Sequence, residues 1–170
     1  MSCRLAGSRA RGWSLDRVGR VTVRVEVVRE VSGEVVEALA RLLPQLSSSA
    51  VALDEPAVAR LVGHEASTVL VARGAGGGIV GTLTLVMFPI PSGLRARVED
   101  VVVDASARGQ GVGAALTAEA VRLAREAGAR TVDLTSRPSR EAANRLYERL
   151  GFARRESVVY RYALDADGRP

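Results

Sequence analysis

Residues 101–116 read VVVDASARGQGVGAAL: an apolar run suited to a strand buried on both faces, glycines at 109, 111 and 113, then the start of a helical pattern. A helix that opens there leaves its first backbone N–H groups without internal partners. Such ends are ordinarily covered by a Ser, Thr, Asp or Asn side chain. Here the cap positions fall to Gly109 and Gln110, followed by Gly111 and Gly113. Bare amides, small side chains and the positive end of the helix dipole make a seat for an anion such as a pyrophosphate. The plainer alternative is a tight glycine turn with water on its amides.

The rest of the chain supplies elements around this turn. VTVRVEVVRE, from Val21, alternates like a strand; Ser32 then precedes a helical pattern through Val35, Val36, Leu39, Leu42 and Leu43 that Pro44 stops. After the polar loop PQLSSS, Asp54 caps a short helix with Pro56 in its first turn and Val58, Leu61 and Val62 on its apolar face. TVLVAR, the turn GAGGG and IVGTLTLVMF form a hairpin, and the break PIPSG at 89–93 separates it from the strand RARVEDVVVD. Beyond the glycines, Leu116, Ala120, Leu123 and Ala127 mark a helix closed by Gly128, and TVDLTS is the next strand. Ser139 caps a last helix with Ala143, Leu146 and Leu150 inward, Gly151 ends it, and VVYRYAL finishes as a strand. The order β α α β β β α β α β gives one α/β domain over residues 21–165: a central mixed, mostly antiparallel sheet flanked by helices. Residues 1–20 form a basic leader and 166–170 a tail.

Composition removes several functions. All 24 basic side chains are arginine, so a P-loop lysine, a Schiff-base lysine for pyridoxal phosphate and a lysine nucleophile are all excluded. Cys3 alone forms no internal disulfide, and His64 as the single histidine leaves little from which to build a metal site or a serine–histidine triad. We expect no metal. No apolar run has the length of a membrane span and residues 1–20 lack the apolar stretch of a secretory signal, which points to a cytoplasmic protein without membrane contact. The net charge of +5 divides into +4 over residues 1–20 and +1 over the remainder, so the case for nucleic acid rests on the leader alone.

A GxG opening a helix after a strand, with Asp133 twenty residues beyond Gly113, imitates a dinucleotide-binding fingerprint. The strand lies too late in the chain for a Rossmann sheet, however. Asp133 falls inside its strand rather than at the end, and Arg108 stands just before the glycines. With Arg108, Gly111 and Gly113 the turn resembles the signature (Q/R)-x-x-G-x-(G/A) of the GNAT family of N-acetyltransferases. VEDVVVDASARGQGVGAAL is similar to that family's acetyl-CoA motif, and NRLYERLGF, residues 144–152, to its second motif at the right distance. The resemblance covers roughly residues 22–164 in element order.

The resemblance implies transfer of an acetyl group from acetyl-CoA, as co-substrate, to a primary amine in a ternary complex. It implies that the amides of Gly109, Gln110, Gly111, Val112, Gly113 and Ala114 hold the pyrophosphate, with Arg108 supporting the loop. The backbone of Val101, Val102 and Val103 would pair with the pantetheine arm, and one of its N–H groups would polarise the thioester carbonyl. Asn144 would contact the pantetheine and Tyr147 would protonate the departing sulfur. Glu99 is the expected base, placed two residues before Val101 on the same strand face; its alternative is an edge carboxylate paired with Arg95 or Arg97. His64 reads as a helix-end residue. The acceptor, a small-molecule amine or a protein or peptide N-terminus, would enter around residues 46–53 and 89–93. A homodimer through sheet edges is compatible with this fold. The competing reading is a non-catalytic acyl-CoA-binding module of the same fold; binding of nucleic acid by the leader comes third.

Overall fold

The computed structural model describes residues 23–46 and 53–162. The leader, the tail and most of the 46–53 loop lie outside them. The elements are β1 (Arg24–Val27), α1 (Gly33–Leu42), α2 (Glu55–Val62), β2 (Ser67–Arg73), β3 (Ile79–Ile90), β4 (Gly93–Val103), α3 (Val112–Glu126), β5 (Val132–Asp133) and α4 (Glu141–Arg149). Short 3-10 turns occupy Leu43–Gln45 and Ala105–Ala107. The strands lie side by side in chain order, all antiparallel except the parallel pair β4–β5. This is the mixed, mostly antiparallel sheet expected.

Local chemistry sets most boundaries. Ser32 Oγ accepts from Val35 N–H at 3.4 Å and Asp54 Oδ1 from Ala57 N–H at 2.8 Å, so both expected caps are made. Past Leu42 the chain tightens into the 3-10 turn containing Pro44. At the end of α3, Gly128 N–H donates to Arg125 O and Ala129 N–H to Ala124 O, the paired bonds of a Schellman stop, with Gly128 at φ +81°.

The sheet buries both faces. Leu70, Ala72, Leu83, Leu85, Ala96 and Val98 point to α3, meeting Val112, Leu116, Ala120 and Ala124. On the other face Val71, Ile79 and Val102 meet Val35, Ala38, Leu39 and Leu42 of α1 and Val58 of α2. Successive residues alternate between the two clusters, as the pleat requires. β4 correspondingly alternates rather than being buried along both faces: Val102 is buried, whereas Val101 and Val103 are half-buried.

Several expectations need correction. PIPSG is not a break, because β3 and β4 pair through to Ile90↔Gly93 around a two-residue turn. Pro89 is tolerated because Met87 N–H donates to Ala66 O at the start of β2, leaving no further strand on that side to require an N–H. In α3, Ala127 is the exposed C-cap residue and Ala124 takes the buried position. Arg140, not Ser139, is the N-cap of α4, without a side-chain cap bond. The final strand is absent among the described residues. Residues 153–162 have no regular structure, and Val158, Val159, Tyr160 and Tyr162 stand in solvent, Tyr160 at 91% exposure. VVYRY has a strand's composition, but β5 is two residues long and offers its outer edge no ladder of useful length.

α3 lies so close to β3 that a Cβ on Gly81 would sit 2.8 Å from Val112 Cγ1, 3.0 Å from Val102 O and 3.2 Å from Leu116 Cδ1. Gly81→Ala should therefore cost about 1–3 kcal/mol by overpacking. The expected readout is a lower urea midpoint at unchanged m-value; an unchanged midpoint would mean that α3 shifts without cost.

Candidate functional site

β4 keeps a long ladder with β3 but pairs with β5 only at Ala96↔Val132 and Arg97↔Asp133. Beyond Arg97 the two parallel strands part. Asp104 N–H donates to Val80 O at 2.8 Å, so by alternation Val102 also turns its N–H toward β3. Val101 and Val103 turn theirs away, toward the side β5 has left. Of the three valines expected to offer backbone bonds, these two face the wedge and Val102 is committed to β3.

A bulge creates this arrangement. Thr82 pairs with Val102 and Thr84 with Glu99, so Leu83 alone opposes both Asp100 and Val101. Asp100 absorbs the extra residue at φ +48°, a left-handed conformation that Asp tolerates better than most side chains. The slip also moves Glu99. It shares a face with Thr84, Thr82 and Val102, not with Val101, which corrects the expectation from simple alternation. Glu99 pairs with Arg97, whose guanidinium also donates to Thr135 Oγ1 at 3.4 Å. The carboxylate thus sits two residues past the last β4–β5 rung, at the fork.

From the fork to the end of β4 the strand extends roughly 20 Å. There the 3-10 turn Ala105–Ala107 leads to Arg108, which is exposed, and to the glycines. Gly109 and Gly111 stand at φ +75° and +83° with nothing within 4 Å of an added Cβ, so backbone conformation rather than crowding calls for glycine there. Gly111, rather than the expected Gly109 or Gln110, is the N-cap of α3, which has no side-chain cap bond. The helical bonds begin with Ala115 N–H to Gly111 O at 3.0 Å. The amides of Gly111, Val112, Gly113 and Ala114 are left without an intrahelical partner. Among the four helices described, α3 alone has no acidic residue in its first turn, so the positive end of its dipole is not offset there.

α4 closes the site from the other side. A Cβ on Gly113 would lie 3.7 Å from Val103 Cγ2 and 3.9 Å from Leu146 Cδ2, so the turn, β4 and α4 converge at this glycine. Asn144 Nδ2 donates to Arg137 O at 3.1 Å and Pro138 O at 3.4 Å, tying the β5–α4 loop to the helix. Tyr147 is half-buried, its ring edge-on to Phe152 with centroids 5.9 Å apart. Burial pushes its phenol above the usual value, partly countered by the Arg140 charge. His64 lies after α2, its Nδ1 accepting from Ala66 N–H at 3.2 Å, as a helix-end residue does.

Sequence reading missed what precedes the glycines. The Asp104 carboxylate accepts from Ser106 N–H at 3.0 Å and Ser106 Oγ at 2.7 Å and pairs with Arg41. Those bonds, the Ser106 hydroxyl first, hold it below the usual carboxylate range. The D-x-S spacing could have announced the Asp104 turn; nothing local announces Arg41. Among the described residues no group of three or more His, Cys, Asp or Glu is placed to hold a metal, and no helix is long and apolar enough to cross a membrane.

A model described as the acetyltransferase (GNAT) family matches residues 36–152. No curated protein matches the chain by sequence. Among solved structures, an acetyltransferase from Trypanosoma brucei is 26% identical at a TM-score of 0.68, over 83% of this chain and 99% of that one. An aminoglycoside acetyltransferase from an uncultured soil metagenomic sample, crystallised with trehalose, is 22% identical at a TM-score of 0.75, over 84% and 97%. A ribosomal-protein-alanine N-acetyltransferase from Brucella melitensis biovar Abortus is 24% identical at 0.65, over 83% and 99%.

The bulge yields a test. Loss of hydration first, and the Glu99 charge second, raise the Asp100 pKa above its ordinary 3.8. Its ionised form therefore costs stability, and that cost appears as pH rises through the raised value. Asp100→Asn keeps a side chain that accepts left-handed backbone. It should be more stable than the parent near neutral pH, with the advantage fading as pH falls toward 3.8. Denaturant midpoints across pH check this; a pH-independent difference contradicts it.

Proposed function

The chain belongs to the GNAT family of acetyltransferases, and from that premise we propose that it moves the acetyl group of acetyl-CoA onto a primary amine by direct attack in a ternary complex. The observation that carries the reading is available backbone at two successive places in the chain, the stretch of β4 beyond its last rung with β5 and the uncapped start of α3. Gly111, Val112, Gly113 and Ala114 present amides to a pyrophosphate, with Arg108 beside them; the Gln110 N–H, expected among them, donates to Ala107 O at 3.4 Å instead. Gly109 supplies the left-handed step that turns those amides outward. Val101 and Val103 offer backbone groups to the extended pantetheine arm, and an N–H of this stretch polarises the thioester carbonyl where negative charge develops. Acetyl-CoA, when bound, supplies a thioester open to attack by a neutral amine. Holding the two together provides much of the rate, with no covalent enzyme intermediate.

Asn144 contacts the pantetheine from α4, Tyr147 gives a proton to the departing sulfur, and Glu99 takes one from the acceptor ammonium at the fork. Ordinary values of about 10 for a phenol and about 8.5 for a thiol make the Tyr147 transfer uphill by roughly 1.5 units, and burial widens that gap. The thiolate can depart unaided, so the phenol accelerates its release without being indispensable.

The acceptor enters between the 46–53 loop and the hairpin tip at 89–93. A small-molecule amine is favoured by the compact size of the chain, with a protein or peptide N-terminus as the other class. Reaction in the cytoplasm, by one domain at residues 21–165, suits the composition.

Thiol release from acetyl-CoA against an amine panel tests the reading. Binding without release of free CoA for any amine would favour a non-catalytic acyl-CoA module instead. Tyr147→Phe should lower kcat by about one to three orders of magnitude with acetyl-CoA binding nearly intact; unchanged turnover would remove Tyr147 from the mechanism. Glu99→Gln should lower kcat/KM for the amine by about one to three orders of magnitude with acetyl-CoA binding nearly intact. An unchanged kcat/KM would assign the base elsewhere.

A further inference from the structure

The turn that precedes the glycines is held from outside its own strand and helix. Ala105 N–H donates to Gln45 Oε1 at 3.0 Å, across 60 residues of sequence. Arg41, in the last turn of α1, pairs with Asp104 through one guanidinium nitrogen and donates to Ile79 O at 2.7 Å through the other. Gln45 Nε2 reaches back to Arg41 O at 3.4 Å. The neighbouring Leu46 O accepts from Arg140 Nη2 at 3.4 Å, and Arg140 is the N-cap of the helix that bears Asn144 and Tyr147. One short segment, residues 41–46, therefore touches both the lead-in to the glycine turn and the start of α4.

These contacts have a local reason. A 3-10 turn of three residues satisfies few of its own backbone groups, and the left-handed glycines that follow contribute no side chain to fix their direction. Within the turn Gln110 Nε2 donates to Ser106 O at 3.1 Å and Ala107 is buried, so Asp104 and Ala105 are where contacts from residues 41–45 reach it. Gln45 holds a backbone N–H and Arg41 a carboxylate only 15% exposed. A rotation at Asp104 would be carried through Arg108 into every amide from Gly109 to Ala114.

We propose that Gln45 and Arg41 are positioning residues for cofactor binding: a clasp from the end of α1 that fixes where the amides of the glycine turn point. The inference rests on the reading of that turn as the pyrophosphate seat. Neither residue need touch the cofactor; both act through Asp104 and Ala105.

Gln45 is exposed, so its substitution spares the core. Gln45→Ala removes the acceptor, and Gln45→Met removes it while keeping the length and volume of the side chain. Both should raise KM for acetyl-CoA about three- to ten-fold, the worth of one hydrogen bond. The expected kcat and acceptor KM stay within about two-fold on the same grounds, since the reacting groups at the fork are untouched. Hydrogen exchange of the unliganded protein should speed up at Ala105 and at the hydrogen-bonded amides of Ser106, Ala107, Arg108 and Gln110, with melting temperature little changed. Arg41→Gln should act in the same direction. Equal acetyl-CoA KM values for the parent and both Gln45 variants, in an enzyme that turns acetyl-CoA over, would overturn the clasp and leave the reaction standing. A parent protein that neither binds nor consumes acetyl-CoA would remove the functional reading beneath it. The exchange data separate the two cases, because unaltered exchange at Ala105 and those bonded amides overturns the clasp whatever the ligand.

Discussion

A strand inside a sheet normally spends its hydrogen-bonding groups on two neighbours, and beyond Arg97 β4 spends them on one. Its ladder with β3 runs from Gly93 to Val103, whereas its ladder with β5 ends after Arg97. Backbone N–H and C=O groups left over in this way must be met by water or by another molecule, since leaving them buried and unpaired is costly. The geometry of the site follows from that shortfall. It places a row of backbone donors and acceptors along an open edge.

The rest of the molecule holds the gap in shape. α3 lies against β3 through Gly81 and runs back from the turn, so the uncapped end of the helix and the open strand edge face the same space. At Gly113 a side chain would meet Val103 and Leu146 at ordinary contact distance, which places α4 beside the same point. Two kinds of glycine are at work. Gly109 and Gly111 are set by left-handed backbone with open space around them, whereas Gly81 is set by what lies opposite. The residues gripping the turn come from the last turn of α1 and the 3-10 turn after it, distant in sequence from the glycines.

Features governed by near neighbours along the chain are legible in the amino-acid sequence by itself. The caps Ser32 and Asp54, the stop at Gly128 and the glycine turn all act within a few residues, and each stands where the pattern puts it. What is not legible there depends on a partner distant in sequence. The slip at Asp100 exists only relative to Leu83 on the adjacent strand, so alternation alone puts Glu99 on the wrong face. Pro89 reads as a break until β2 is seen to have ended beside it. VVYRY reads as a strand until β5 is seen to be too short to receive it. Gln45 carries no local mark of its bond to Ala105.

The half-buried Tyr147 has a consequence for the conditions under which such a site can work. An amine attacks only after losing its proton, so the supply of nucleophile grows as the solution becomes alkaline. An exposed phenol would start to ionise in that same range and cease to be a donor. By raising the energy of the phenolate, the surroundings of Tyr147 keep the hydroxyl protonated further into alkali. Free amine and the proposed proton donor then coexist over a wider span of pH than their ordinary acidities would allow.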